Sequence, residues 1–211
     1  MVESGSALLK PRAPEASGSE RRRDVRMTSV FQIAKIITAR AEELCILRDV
    51  SPEGLKAEVY CAMTSGEAVT IEFRTGHAIA GRVAWARDSY VGVQFDELMS
   101  VVSVLSHSSF DERVGRIRPP RLKLEVAGRL RTLDHDVEIE TCDVSQAGMK
   151  LLVEGVSFRP DTPCHVTLPK LDQRKGLIRW CRNGSAGLMF TEALSYHDFA
   201  AWRQRLSRLQ G

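Results

Sequence analysis

The chain repeats itself, and the repeat constrains its fold more than any other feature. Gly81, Trp85, Arg87, Gly92 and Phe95 recur as Gly176, Trp180, Arg182, Gly187 and Phe190, each pair 95 positions apart. Asp49-x-Ser51-x-x-Gly54 recurs as Asp143-x-Ser145-x-x-Gly148 at an offset of 94, and Arg26 recurs as Arg121 at 95. Identities at a fixed offset mark an internal duplication, so the chain is expected to hold two similar units in tandem.

Each unit reads as short strands. In Val69-Thr70-Ile71-Glu72-Phe73, in Ile79 to Trp85 and in Val91 to Phe95, β-branched and aromatic residues fall on one parity, which gives each strand one buried face. On that parity Trp85 and Trp180 side with Val83 and Ile178 and are expected to point inward. Turn chemistry separates the strands at Ser51-Pro52-Glu53-Gly54, Ser65-Gly66, Thr75-Gly76 and Arg87-Asp88-Ser89. Several short strands at this spacing suggest a small antiparallel barrel or sandwich. Residues 98–105 are apolar and fit a short closing helix or a strand equally well. Arg118-Pro119-Pro120-Arg121 is a stiff, extended lead-in to the second unit. Near the end Tyr196, Phe199, Trp202, Leu206 and Leu209 recur at three- and four-residue steps with Arg203, Arg205 and Arg208 between them. That is an amphipathic helix expected to cap a barrel.

The remaining boundaries follow from composition. Residues 1–19 are rich in Ser, Gly, Pro, Glu and Ala, too polar to offset their ordering entropy, and are expected to be a flexible tail. The units are then assigned to 20–110 and 111–211. With 27% charged and 43% hydrophobic residues the chain fits a soluble globular class. Its net charge of +3 is small but uneven, with arginines gathered at 21–26 and again at 113–131, which favours an anion locally. The five cysteines are widely spaced with no Cys-x-x-Cys pair, so free thiols in a reducing cytoplasm are expected. No apolar run approaches the roughly 18 residues of a membrane span. No hydrophobic segment follows Lys10 and Arg12, so neither a secretory signal nor membrane insertion is expected.

Two elements carry chemistry. Arg21-Arg22-Arg23-Asp24-Val25-Arg26 offers planar, permanently charged forks, and Asp49-Val50-Ser51-Pro52-Glu53-Gly54 offers a carboxylate, a hydroxyl and a glycine at short spacing. An anionic ligand with hydrogen-bonding bases would use both, the forks for phosphate and the carboxylate for base N–H groups. The bland alternative is a solvated cationic face and a plain turn, with Asp and Ser capping backbone groups and Gly supplying a positive φ.

With both elements in order ahead of the barrel strands, the chain resembles a tandem of PilZ domains, the small β-barrel modules of bacterial second-messenger signalling. The resemblance rests on Arg22-x-x-x-Arg26, Asp49-x-Ser51-x-x-Gly54, the Gly-x-Val-x-Trp strand from Gly81 and the Gly-x-x-Phe strand from Gly92, and runs in two copies from Glu20 to the C-terminus. It implies an all-β fold of two small antiparallel barrels, each with a short accessory helix, plus the C-terminal amphipathic helix. It also implies cyclic di-GMP as ligand. Arg22 and Arg26 would meet phosphate oxygens or guanine edges, Asp49 would accept from guanine N–H groups, and Ser51 would add a hydroxyl. Gly54 would allow close ligand approach, with Arg21 and Arg23 as supporting charges. In the second copy Ile117 stands at the Arg22 position, leaving Arg121, Asp143, Ser145 and Gly148 as a weaker second site. Motility, exopolysaccharide or biofilm output through an effector protein follows from the resemblance.

Signatures of catalysis are missing: the sequence has no Gly-x-Ser-x-Gly elbow, His-Glu-x-x-His helix or phosphate loop, and its five histidines are scattered. No enzyme, metal or cofactor is expected. Basic residues without interleaved exposed aromatics argue against nucleic acid as a partner. The rival reading is a ligand-independent pair of barrels that binds protein partners.

Overall fold

The computed structural model describes residues 28–102 and 119–210. The first barrel is built from β1 (Thr28–Ile37), β2 (Glu42–Ser51), β3 (Gly54–Val59), β4 (Ala68–Glu72), β5 (Ala78–Arg87) and β6 (Tyr90–Phe95). All pairings are antiparallel in the order β1-β2-β3-β6-β5-β4, and β4 returns to β1 to close the sheet. The alternating apolar residues fill the interior, where Ala34, Ile36, Leu47, Val50, Ile71 and Val83 are essentially inaccessible.

The second barrel repeats the plan with β7 (Leu122–Lys123), β8 (Ala127–Arg131), β9 (Asp136–Ser145), β10 (Gly148–Leu152), β11 (Thr162–Leu168), β12 (Leu171–Arg182) and β13 (Ser185–Phe190). Six strands close in the order β9-β10-β13-β12-β11-β8, with β7 added beside β9. The counterpart of β1 is thus broken in two. Buried Thr141 bridges the break: its Oγ1 accepts from the Val126 N–H at 3.0 Å and donates to the Leu124 carbonyl. Backbone groups exposed by the gap are thereby paired inside the protein.

Helix α1 (Tyr196–Gln210) begins where Ser195 caps it, its Oγ accepting from the Asp198 N–H at 3.0 Å. Phe199, Trp202 and Leu206 join the core of the second barrel, and Trp202 Nε1 donates to the Pro169 carbonyl at 2.9 Å. The stripe expected to reach Leu209 stops at Leu206, because Leu209 lies in the last turn with its side chain exposed. This helix takes the place expected for the accessory helix of the second copy. In the first copy Val101 and Val102 are helical at the equivalent positions, where the described residues end.

The two barrels share contacts around α1. Tyr196 Oη donates to the Leu44 carbonyl at 3.2 Å, Gln204 Nε2 donates to the Tyr60 carbonyl, and the Tyr60 and Tyr196 rings meet edge-on at 5.4 Å. Arg203 Nη2 pairs with Glu43 Oε1 at 3.2 Å, and the Lys123 N–H donates to Glu42 Oε2 at 2.8 Å. Leu44, at the start of β2 in the first barrel, packs into the core of the second.

Candidate functional site

In both barrels the Asp-x-Ser-x-x-Gly element is a two-residue hairpin. Ser51 pairs with Gly54 across the β2–β3 turn, and Ser145 with Gly148 across β9–β10. The hydroxyls of Ser51 and Ser145 donate to the carbonyls of Gly54 and Gly148, each at 3.0 Å. Turn carbonyls anchor the next segment in the same way. Glu53 accepts from the Phe95 N–H and Pro52 from the Met99 N–H, both at 2.9 Å, as Ala147 does from Phe190 and Gln146 from Leu194 in the second copy.

Gly54 is glycine for a reason the spacing did not reveal. Its φ lies outside the left-handed region, and a Cβ there would press on the Val93 carbonyl of neighbouring β6, with Val93 C at 3.3 Å and Gln94 Cα at 3.4 Å. The glycine allows two strands to approach. Gly148 faces Leu188 in the same manner. Serine and glycine therefore have structural duties in both copies, while Asp49, half-buried on the barrel exterior, accepts from the Ser29 hydroxyl at 3.1 Å.

From Asp49 a row of residues crosses the outside of the first barrel at one level. Ser29 faces Asp49, Asp49 faces Lys56, Lys56 faces Gly92, and Gly92 faces Trp85. Trp85 does not point inward as its parity suggests. A bulge between Val83 and Trp85 shifts the register, so the indole turns outward, 43% exposed, and lies over Gly92. The same bulge between Ile178 and Trp180 turns the second indole out over Gly187. The Lys56 ammonium sits 4.7 Å from the centre of the Tyr90 ring. Lys56, Trp85, Ala86, Arg87, Asp88 and Tyr90 line a cavity of about 420 Å³ beside this row, within the usual size of small-molecule sites. Lys56 and Tyr90 carry no sequence signal, and Trp85, expected inward, faces out; the glycine repeated opposite each tryptophan was the available clue.

The second barrel carries an equivalent row of Lys123, Asp143, Lys150, Gly187 and Trp180. Here Arg121 Nη1 pairs with Asp143 Oδ1, and the Arg182 guanidinium lies 5.3 Å from the Trp180 ring. At the β7 end the first barrel intervenes, since Glu42 holds the Lys123 N–H. Arg21, Arg22, Arg23 and Arg26 lie outside the described residues. Among the described residues no His, Cys, Asp and Glu group is arranged to hold a metal, and no helix is long and apolar enough to cross a membrane.

No curated protein matches the chain. Among solved structures, PlzA of Borreliella burgdorferi in complex with c-di-GMP is similar at 6% identity and a TM-score of 0.38, covering 81% of this chain and 85% of that one. The Bacillus subtilis inhibitor of motility MotI/DgrA is similar at 12% identity and 0.37, covering 87% and 98%. YcgR of Escherichia coli in complex with c-di-GMP is similar at 9% and 0.35, covering 85% and 84%. The PilZ domain model matches residues 20–105, which span the first barrel, both sequence elements and the Trp85 strand. Through that segment the chain carries a match to the PilZ domain, and a second barrel of the same architecture follows it.

Proposed function

We propose that the first barrel is a receptor for cyclic di-GMP and that the chain acts as a cytoplasmic signalling effector without catalysis of its own. One observation carries the reading. The carboxylate of the family motif, a lysine and an outward indole stand in one row on the barrel wall, beside a cavity of about 420 Å³. These are the groups a guanine dinucleotide requires: an acceptor for base N–H groups, a cation for phosphate and a flat apolar face for stacking.

Arg22 and Arg26 complete the site in this reading. The second barrel offers the template, because Arg121, the counterpart of Arg26, pairs with Asp143, the counterpart of Asp49. By that correspondence the arginine element reaches the motif carboxylate and adds its forks to the row. Arg21 and Arg23 supply supporting charge. Ser51 and Gly54 act by shaping the hairpin that presents Asp49. The second unit, placed at 111–211, binds weakly or serves structure. Its Arg22 position is Ile117, and the first barrel meets the end of its row. Ligand ordering of the segment before β1 would alter a surface read by an effector protein, with motility, exopolysaccharide or biofilm formation as output.

Calorimetric titration of cyclic di-GMP into wild type, Arg22→Ala/Arg26→Ala and Asp143→Ala tests this. Micromolar or tighter binding near one ligand unit per chain, lost in the arginine double variant and kept in Asp143→Ala, is expected. Silence from wild type in calorimetry and in a thermal-shift assay would leave the ligand-independent interaction module as the reading.

A further inference from the structure

Next to the Asp49 row, the first barrel has a feature the second lacks. β1 bulges between Ser29 and Gln32, and β2 bulges between Leu47 and Asp49. In a regular strand Arg48 and Asp49 would face opposite sides of the sheet. The bulge turns both outward, while Leu47 and Val50 on either side are wholly buried.

Arg48 is then fixed in place. Its Nε at 3.2 Å and its Nη2 both bond Glu58 Oε2, and its guanidinium carbon lies 4.3 Å from the centre of the Phe31 ring. Phe31 itself contributes to neither core and is 79% exposed, the most exposed aromatic ring among the described residues. A barrel gains little from such a ring, which leaves apolar area in water beside the motif carboxylate.

The second barrel keeps the β9 bulge but not the side chains. Phe31, Arg48, Glu58 and Tyr90 are matched there by Val126, Cys142, Leu152 and Ser185, and Val126 is buried. The common row is retained in both copies, whereas the exposed ring with its braced arginine belongs to the first alone.

We propose that Phe31 and Arg48 form a base-stacking platform of the first barrel. One guanine of the dinucleotide lies on the Phe31 ring while adjacent Asp49 accepts from its N–H edge. The inference rests on the receptor reading above. Glu58 holds the arginine before ligand arrives, so little ordering remains when the base lands.

The test is titration of cyclic di-GMP into wild type, Phe31→Ala, Phe31→Leu and Phe31→Trp, with thermal unfolding recorded for each. Loss of a stacked base weakens binding by about tenfold or more, so Ala and Leu are both expected to fall by that factor. Trp is expected to stay within about threefold of wild type, and all four unfolding midpoints to coincide because the ring is exposed. Wild-type binding that Ala or Leu leaves within about twofold would overturn the platform and spare the receptor. Absence of wild-type binding in both calorimetry and thermal shift would overturn both.

Discussion

Two glycine-to-alanine changes on the first barrel, chemically identical, are expected to behave differently because of what each new methyl would strike. At Gly54 it meets β6 backbone: the Val93 carbonyl, with Val93 C at 3.3 Å and Gln94 Cα at 3.4 Å. Backbone in a closed sheet cannot step aside without parting the Gly54–Gln94 and Leu55–Val93 pairs. Overpacking costs about 1–3 kcal/mol, and each weakened ladder bond adds roughly 0.5–1.5 kcal/mol. The gain of about 0.4–1 kcal/mol from a stiffer unfolded chain offsets only part of this, so the net loss is about 3 kcal/mol. At Gly92 the methyl meets the Trp85 indole, with Cδ1 at 2.8 Å, but that ring is already 43% exposed and can swing away. The net cost there is under about 1 kcal/mol, because the stiffened chain offsets most of the lost contact.

Hydrogen exchange read by mass spectrometry separates the cases without assuming that both barrels unfold together. Gly54→Ala is expected to deprotect β3 and β6, including the Phe95 and Met99 amides that the hairpin carbonyls hold, while β10 and β13 stay protected. Gly92→Ala is expected to keep protection, shift tryptophan emission to the red and weaken cyclic di-GMP binding. Equal protection of β3 in wild type and Gly54→Ala would refute the claim that Gly54 serves strand approach. Loss of β3 protection in Gly92→Ala would refute the free swing of Trp85.

Three further outcomes follow from buried groups. Glu43→Ala leaves Arg203 charged and nearly buried, with Nε and Nη1 already unpartnered; a loss of about 3 kcal/mol and faster proteolysis of α1 are expected, whereas Glu43→Leu/Arg203→Met should be close to neutral. Thr141→Val strands the Val126 N–H and is expected to cost about 2 kcal/mol in the second barrel by urea unfolding. Burial pushes the Cys45 and Cys61 thiols from 9.0 up to about 12, so both are expected to resist thiol reagents at pH 8 until the protein is unfolded. Folded thiols keep protons that unfolded ones release, so their contribution to stability falls as pH rises from 9 towards 12, and Cys45→Ala should flatten that slope.

The barrels were legible because alternation and turn chemistry act locally, and the tandem because identities recur at fixed offsets. Trp85 and Trp180 were misplaced for a physical reason: parity assumes an unbroken strand, and one bulged residue inverts it. The duties of Ser51 and Gly54 were hidden because both look across the hairpin, Ser51 to a carbonyl three residues on and Gly54 to a strand about forty residues away. Lys56 and Tyr90 carry no motif. Lys56 comes beside Asp49 only when β2 and β3 pair, and Lys56 and Tyr90 come together near Trp85 only when β3 and β6 pair. Arg203 falls between the apolar positions of the helix, yet Glu43 on the other barrel draws it inside. Such a contact leaves no trace in helical periodicity.

What the two copies share and what they do not share explains how a duplicated barrel divides its work. The closed sheet and the hairpin bond from serine to glycine carbonyl are common to both, so they answer to folding. The differences lie at opposite ends of one strand. The far end of β2 carries Arg48 and Asp49 on an open wall, while its near end carries Glu42, Glu43 and Leu44, each bonded to the second barrel or its helix. Asp49 lies six positions beyond Glu43, about 20 Å of extended chain. In the second barrel, by contrast, the equivalent row begins at β7, where Glu42 already holds Lys123. The first copy can keep its wall open because the second copy's wall provides the seam, and β2 belongs to both.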